Sequence, residues 1–546
     1  MFQDPISWHT DPKSGYRWPT DFHGDIDPYF CRQGRGDVKY VWELGRQEYL
    51  LDCAKAFRLS GETQFAKRTV EVVDSWIGAN PYLQGVHWAS ALEVAVRSLS
   101  WLWSYQFLRG YTITAESHLA WIRAFYQHGY YLHRHLSYYS SPNNHLIGEA
   151  TALYLLGCFF PEFDEADAWC SQGWTVLSEH LDNQYYQDGG STEQATFYHN
   201  YCLGFLLLAV LQKQRRGEVV AANMLDGIER ALEFTMWMTR GDGTVPRFGD
   251  VDNARSIRFE NPPLWDFRNL LCLGAIMFQR ADMKAVAGSF SEDALWLLGV
   301  GGHDRFDQLA ATVPQETSHP FPHSGYYIMR SGWQDEDHHL AFDCGPIAGG
   351  LHASRVPSSA HGHSDLMSLT LSAFGKPLLV DGGFYTYDED PWWYRYFREA
   401  SAHNTVLVDG ASHGKFHPAN AWSSVATPGP LHWESTSLFE YVECDHAGFF
   451  GVAPPVQHRR SIYWDRQNDW LVLDRLEGSG EHEVEIFFHF APGEVELCDD
   501  HRSLMVRSDR GLFAVLELLE TTPLKMQVVQ SGDGPDGGWI GTGYGM

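Results

Sequence analysis

His361-Gly362-His363-Ser364-Asp365-Leu366-Met367-Ser368-Leu369-Thr370-Leu371-Ser372-Ala373-Phe374-Gly375-Lys376-Pro377 is the stretch on which the fold turns. Met367, Leu369, Leu371 and Ala373 alternate with Ser368, Thr370 and Ser372, the period of two that puts apolar side chains on one face of a strand. Gly375-Lys376-Pro377 then supplies a turn. The same alternation returns at Val484, Ile486, Phe488 and Phe490, while Tyr463-Trp464 and Leu471-Val472-Leu473 flank the turn Asp465-Arg466-Gln467-Asn468-Asp469. Short antiparallel strands of this kind pack as a β-sandwich. Upstream the period is different. From about Tyr40 to Leu298 apolar residues recur at helical spacing, as in Leu92, Val96, Leu99, Trp103 and Phe107. Segments near 43–58, 64–77, 89–108, 115–135, 145–157, 166–184, 195–213 and 223–239 alternate with short connections and predict stacked antiparallel helix pairs. The Gly, Pro, Thr and Ser residues between Val300 and His323 mark the junction. The expected architecture is α+β and multidomain, with a helical domain over 1–312 and an antiparallel β domain over 313–546.

A chain of 546 residues is too long for one core and long enough for two. With 44% hydrophobic and 20% charged residues and no biased run, it is neither disordered nor fibrous. Its longest apolar stretches, such as Leu203 to Val210, fall far short of the roughly 20 residues a membrane helix needs. A net charge of −29 repels nucleic acid and anionic lipid, so neither is an expected partner. The same field opposes a polyanionic sugar unless basic groups gather in a cleft. Nine cysteines, scattered from Cys31 to Cys498 without a CxxC, read as structural. Met1-Phe2-Gln3-Asp4-Pro5 lacks a basic start and an apolar core segment, which predicts a cytoplasmic protein, or a periplasmic or secreted one whose signal was removed. The oligomeric state stays open.

Four segments carry more polar function than their settings require. Ser141-Pro142-Asn143-Asn144-His145, continuing to Glu149, sits at a helix start, where Asn also serves as an N-cap. Asp188-Gly189-Gly190-Ser191-Thr192-Glu193-Gln194 leads into a helix with Tyr198 and His199 one turn in, and taken by itself reads as a capping box. The pair His361 and His363 enters a strand, where packing rarely needs two histidines and where they suit metal coordination or proton transfer. Asp381 ends the next strand and His403 lies in Ala402-His403-Asn404-Thr405-Val406; converging, these groups make a nitrogen–oxygen site for a divalent ion. Gly241 to Asp250 reads as a structured loop and not as a site.

Taken in order, Trp42-Glu43-Leu44-x-Arg46, Asn80-Pro81, Trp88-x-Ser90-x-x-Glu93-x-x-x-Arg97, Asn144-His145, Glu193-Gln194 with Tyr198-His199, His361-Gly362-His363 and Ala402-His403-Asn404-Thr405 resemble the heparinase II/III polysaccharide lyases, from about residue 6 to 540. The resemblance implies an incomplete (α/α) toroid followed by an antiparallel β-sandwich. It implies β-elimination on a uronate-containing glycan, most of all a glycosaminoglycan such as heparan sulfate, chondroitin or hyaluronan, with alginate as the alternative. It assigns Asn144, assisted by His145, to the substrate carboxylate. Tyr198 becomes the acid for the leaving oxygen and, depending on substrate stereochemistry, also the base, and His361 the other proton-transfer group. His363, Asp381 and His403 map to metal ligands, with zinc first and manganese or calcium as alternatives. Trp88, Arg97, Arg355 and Tyr394 are expected at the substrate, and Arg395, Tyr396 and Arg398 are further candidates for sulfate, carboxylate or sugar faces. Family members usually add a further strand beyond Trp539 to Met546, so an open edge is expected there. Two rivals remain. A glycoside hydrolase on the same toroid needs two facing carboxylates, for which Glu149 and Glu193 are available. A non-catalytic glycan-binding or exopolysaccharide-assembly protein would bind the polymer and leave its length unchanged.

Overall fold

The computed structural model describes residues 5–28, 35–347, 361–417, 421–429, 431–508, 511–519, 524–530 and 537–546. Helices α1 (Val38–Arg46), α2 (Leu50–Ser60), α3 (Thr63–Ala79), α4 (Ala91–Phe107), α5 (Ala115–His135), α6 (Asn144–Phe159), α7 (Ala166–Gln184), α8 (Thr196–Arg215), α9 (Ala222–Met238), α10 (Arg268–Phe278), α11 (Ala281–Ala287) and α12 (Glu292–Gln308) come first. Helices α4, α6 and α8 are buried almost all round, whereas α3, α5, α7 and α9 bury one stripe. An inner layer thus alternates with an outer one, the arrangement of an (α/α) toroid.

Two boundaries differ from the sequence expectation. The helix expected over 43–58 is two helices, because Gln47 takes the left-handed conformation (φ 56°) and its side-chain carbonyl accepts a hydrogen bond from Trp101 Nε1 at 3.0 Å. The junction begins after Gln308 and not at Val300, since α12 continues through a kink at Gly299, whose φ of 66° suits glycine.

Strands β1 (Ser318–Phe321), β2 (Tyr326–Arg330), β3 (His339–Asp343), β4 (Leu369–Ala373) and β5 (Lys376–Leu379) form an antiparallel sheet in chain order. After β6 (Gly383–Phe384) come the short α13 (Pro391–Tyr396), β7 (Val406–Val408) and the hairpin β8 (Gly414–His417) and β9 (Ala421–Val425). A second sheet holds β10 (His432–Ser435), β11 (Glu440–His446), β12 (Gln457–Trp464) and β13 (Trp470–Glu477). The remaining strands are β14 (Val484–Ile486), paired with β7, then β15 (Glu494–Leu497), β16 (Ser503–Ser508) and β17 (Gly511–Glu517) as a three-stranded sheet, and β18 (Gly541–Thr542), parallel to β6.

The first sheet joins the two domains. Tyr326, Ile328 and Ala341 belong to the helical core, while their neighbours Tyr327, Met329, Leu340 and Phe342 pack with Leu369, Leu371, Trp422, Val442, Ile462 and Trp464 inside the sandwich. Both faces are therefore covered, and Thr370 and Ser372 of β4, which alternation would send to solvent, are buried. The second sheet keeps a wet face, as the alternating exposure along β13 shows. Near the C-terminus Tyr544 is buried, with Thr542 O accepting from Trp265 Nε1 at 2.8 Å and Tyr544 O accepting from Asn253 Nδ2 at 2.9 Å. Among the described residues every cysteine is a free thiol, and no helix is long and apolar enough to cross a membrane.

Since β2 serves both cores, Ile328→Ala and Met329→Ala should each cost about 2–5 kcal/mol. Both should lower the same single calorimetric transition. Two transitions, each moved by only one variant, would mean that the domains unfold independently.

Candidate active site and metal centre

Three chain segments are laced together by main-chain hydrogen bonds where the toroid meets the sandwich: His361 N donates to Glu193 O at 3.1 Å and Asp250 N to His361 O at 2.9 Å. Gly362 makes the approach possible, because a Cβ there would lie 2.0 Å from Ile347 O and 3.0 Å from Gln194 Cβ. The glycine between the two histidines thus lets both imidazoles turn toward one carboxylate. That carboxylate is Asp250: Oδ2 bonds His361 Nδ1 at 2.7 Å and Oδ1 bonds His363 Nε2 at 2.8 Å. Arg398 Nη2 also donates to Asp250 Oδ2, and its Nη1 donates to Tyr394 O at 3.0 Å. Burial opposes ionisation of Asp250, but Arg398 and the two imidazole hydrogen bonds outweigh it and hold this carboxyl well below the usual carboxylate range. The reading of Gly241 to Asp250 as a mere loop is corrected: its last residue is the hub of the site.

An ionised Asp250 makes Nδ1 the protonated nitrogen of His361 and leaves Nε2 with a lone pair. Nε2 faces Asn144 Nδ2 at 3.3 Å and Glu193 Oε2 at 3.6 Å. Asn144 opens α6, yet its side chain does not cap the helix; Nδ2 donates to Glu193 Oε2 at 2.6 Å, and Oδ1 is buried without a hydrogen-bond partner. Glu193 is likewise no capping residue, since its other oxygen accepts from Gln184 Nε2 at 2.6 Å. His145 is half-buried, and burial together with His361 and Arg46 pushes its pKa down to about 4, so it is neutral near pH 7.

Tyr198, one residue-turn into α8, stacks on His361 with ring centroids 3.8 Å apart and planes 7° from parallel. Its hydroxyl lies 2.6 Å from that of Tyr387, which follows β6. Burial, with Asp252, Asp250 and Glu193 nearby, drives the Tyr198 phenol well above its ordinary pKa, although the Tyr387 hydrogen bond acts against this. Tyr198 is held protonated, which suits an acid and not a resting base.

Behind Tyr198 a buried ion network fixes the helices. Arg46 grips Glu93 through Nε and Nη2, both at 2.7 Å, and reaches Asp252 Oδ1 at 2.8 Å; Lys39 Nζ lies 3.0 Å from the same oxygen. Arg46, Lys39 and Arg398 are all paired with carboxylates, so these cations neutralise the protein's own acids and do not form the freely basic cleft expected for a polyanion.

Other expectations separate. Trp88 and Arg97 are 1% and 0% exposed, with the Arg97 guanidinium stacked over Trp76 at 4.1 Å and bonded to His128 Nε2 at 3.3 Å. They hold the toroid together and offer no surface to a polymer, which corrects their assignment to substrate. Arg398 and Tyr396 are buried too, whereas Tyr394 is half-buried, its ring 3.8 Å from the Arg398 guanidinium carbon. Exposed Arg395 pairs with Glu399 at 2.6 Å. Arg355 lies outside the described residues. Glu149 is fully buried and accepts from Ser137 N and Oγ, both at 2.7 Å, so it cannot be one of two facing hydrolase carboxylates.

His363, Asp381 and His403 come together as ligand types whose atoms lie within 4.8 Å of one another. His403 Nδ1 bonds Asp381 Oδ2 at 2.8 Å. His363 Nδ1 and His403 Nε2 are buried without hydrogen-bond partners. Unsatisfied imidazole nitrogens beside a carboxylate fit a divalent cation, and the Asp250 bond to His363 Nε2 is the outer carboxylate contact that orients a metal-binding imidazole.

Asp250 and Tyr387 escaped the sequence reading. Only Gly249-Asp250-x-Asp252, a tight turn followed by two acids, signalled anything at that point.

Residues 1–261 match the heparinase II/III N-terminus model and residues 313–539 the heparinase II/III-like C-terminal model. The chain is 22% identical to a heparin-sulfate lyase of Bacteroides stercoris, over 97% of this chain and 74% of that one. It is also 22% identical to a heparin-sulfate lyase of Bacteroides thetaiotaomicron, over 86% of this chain and 65% of that one. The chain therefore spans only part of the length of these relatives. A crystal structure of heparinase III superposes with a TM-score of 0.69 at 20% identity, covering 89% of this chain and 70% of that one, a likeness of fold.

Burial lifts the Glu149 carboxyl from an ordinary 4.5 to about 8, against the two Ser137 hydrogen bonds. A raised folded pKa gives stability that is complete below about 4.5 and is lost as pH rises through about 8. Glu149→Gln should therefore gain thermal stability over the parent protein at pH 9 relative to pH 5. Melting curves with the same offset at both pH values would contradict a buried, titrating Glu149.

Proposed function

The chain belongs to the heparinase II/III family of polysaccharide lyases, and we propose that it cleaves a uronate-containing glycosaminoglycan, heparan sulfate first among them, by β-elimination. The observation that carries this reading is the stack of a protonated, buried Tyr198 on His361, whose Nδ1 is tied to Asp250 and whose Nε2 faces Asn144. Elimination needs a base for the C5 proton, an acid for the C4 oxygen and a partner for the uronate carboxylate. His361, whose Nδ1 is held by Asp250, takes the C5 proton at Nε2. The C5–H electron pair becomes the C4–C5 double bond, the C4–O bond breaks, and Tyr198 gives its hydroxyl proton to the departing oxygen. Asn144 and His145 meet the carboxylate, where charge accumulates as the proton leaves. The imidazolium that forms lies between Asp250 and Glu193, two carboxylates already in place to stabilise it.

The second component is a divalent cation, zinc by its donor set of two imidazoles and a carboxylate, held by His363, Asp381 and His403. When bound, it supplies fixed charge and ligand orientation in the wall of the cleft, since elimination needs no activated water.

Tyr198→Phe should fold normally, bind polymer, and lose two or more orders of magnitude in turnover, read as the absorbance of the unsaturated product. A folded variant with near-normal turnover excludes the acid role, and a saturated reducing end in place of the chromophore excludes elimination. His363→Ala should lose stoichiometric metal and thermal stability together. Full metal content in that variant, or no metal in parent protein purified without chelator, would leave His363 and His403 as hydrogen-bonded strand-end groups.

A further inference from the structure

We propose that Tyr387 is a positioning residue for Tyr198: a hydroxyl delivered by the β domain donates to the Tyr198 oxygen, aims the Tyr198 proton into the cleft and stabilises the phenolate left when that proton goes to the leaving oxygen. This rests on the reading of Tyr198 as the acid.

Either hydroxyl can donate across the contact between Tyr198 and Tyr387, and in the proposed arrangement Tyr387 does. The two hydroxyl oxygens are 2.6 Å apart, a short contact for O–H···O, whereas the other acceptor near Tyr387, Val251 O, is 3.5 Å away. With the Tyr387 proton in the short contact, the Tyr198 proton lies off that line and is free for substrate. The Tyr387 ring has little freedom to move away. Phe384 packs on it with centroids 4.6 Å apart, Tyr544 stacks at 6.1 Å and 26°, and the Arg398 guanidinium carbon sits 5.7 Å from its centroid. Tyr544 itself follows β18, which pairs with β6, and Lys39 lies over its ring at 4.7 Å.

The need for such a donor follows from the surroundings of Tyr198. Burial and the carboxylates Asp252, Asp250 and Glu193 all oppose negative charge on its oxygen, and the hydrogen bond from Tyr387 is the contact that counters them. In the step itself the Tyr198 O–H bond breaks, the new O–H bond forms on the leaving oxygen as the C4–O bond cleaves, and Tyr387 keeps its own proton throughout. Tyr198 stands on α8 and Tyr387 on the β domain, so a competent acid exists only when the two domains are docked.

Tyr387→Phe keeps the ring and its packing and removes only the hydroxyl. The test compares Tyr387→Phe, Tyr198→Phe and the double variant on heparan sulfate and on a uronate bearing a 4-nitrophenoxy group at C4, whose departure needs no proton. Thermal melting checks each fold. Tyr387→Phe should lower kcat on the polymer about 10- to 100-fold, the range for a hydrogen bond to a charged group, with KM nearly unchanged. On the nitrophenoxy substrate the loss should nearly vanish, and the double variant should be no slower than Tyr198→Phe alone, because both changes act on one proton transfer. Full polymer activity in Tyr387→Phe, equal losses on both substrates, or losses that multiply in the double variant would overturn the positioning role. If Tyr198→Phe alone keeps full polymer activity, the acid assignment itself fails, an outcome distinct from loss of the positioning role only.

Discussion

A single ionised carboxylate, Asp250, buried beneath two imidazoles and a guanidinium, is the interaction on which the site depends. An isolated charge at that depth would be unfavourable by several kcal/mol, and it is tolerated because each oxygen is hydrogen-bonded and Arg398 supplies the opposite charge. The consequences reach outward in two directions. Through Oδ2 the carboxylate sets which nitrogen of His361 carries the proton, and so which one faces Asn144. Through Oδ1 it binds His363 Nε2 and leaves Nδ1 as the buried nitrogen without a hydrogen-bond partner. The toroid provides the aspartate and the sandwich provides the histidines and the arginine, so the bond that tunes the chemistry also joins the domains.

The sheet that runs between them reinforces this. Because β2 and β3 send alternate side chains into the helical core and the sandwich core, neither domain can shift without opening apolar surface in both. That rigidity matters for a site assembled from Asn144 on α6, Tyr198 on α8, His361 before β4 and Tyr387 after β6. The formal charge of −29 leaves a further constraint. Arg46, Lys39 and Arg398 already balance buried acids, so among these described residues the groups left to meet an anionic polymer are neutral ones such as the Asn144 amide.

Much of the fold could be read from local pattern. The change of period from helical spacing to alternation separated the helical part of the chain from the strand-rich part, since a helix and a strand bury different subsets of the same sequence. The pattern misled where burial is two-sided: Thr370 and Ser372 alternate as solvent-facing residues should, yet the toroid covers them. It also misled at Gln47, where a hydrogen bond from Trp101, more than fifty positions away, breaks a helix that local spacing would continue. Trp88 and Arg97 show the complementary error. Their spacing marks them as important, but importance came from stacking inside the toroid and not from contact with a ligand.

By itself the sequence named the candidates for the chemistry, because Asn144, Tyr198, His361 and the proposed ligands His363, Asp381 and His403 lie in short motifs that match those of the family in order. Tertiary structure alone decided which of them are linked, and in what protonation state. Asp250 meets His361 across more than a hundred residues, and Tyr387 meets Tyr198 across nearly two hundred. Such distances leave no trace in local periodicity. The physical reason is that a proton's position on an imidazole or a phenol depends on burial and on charges within a few ångströms, and those neighbours are brought there by the fold and not by the chain order.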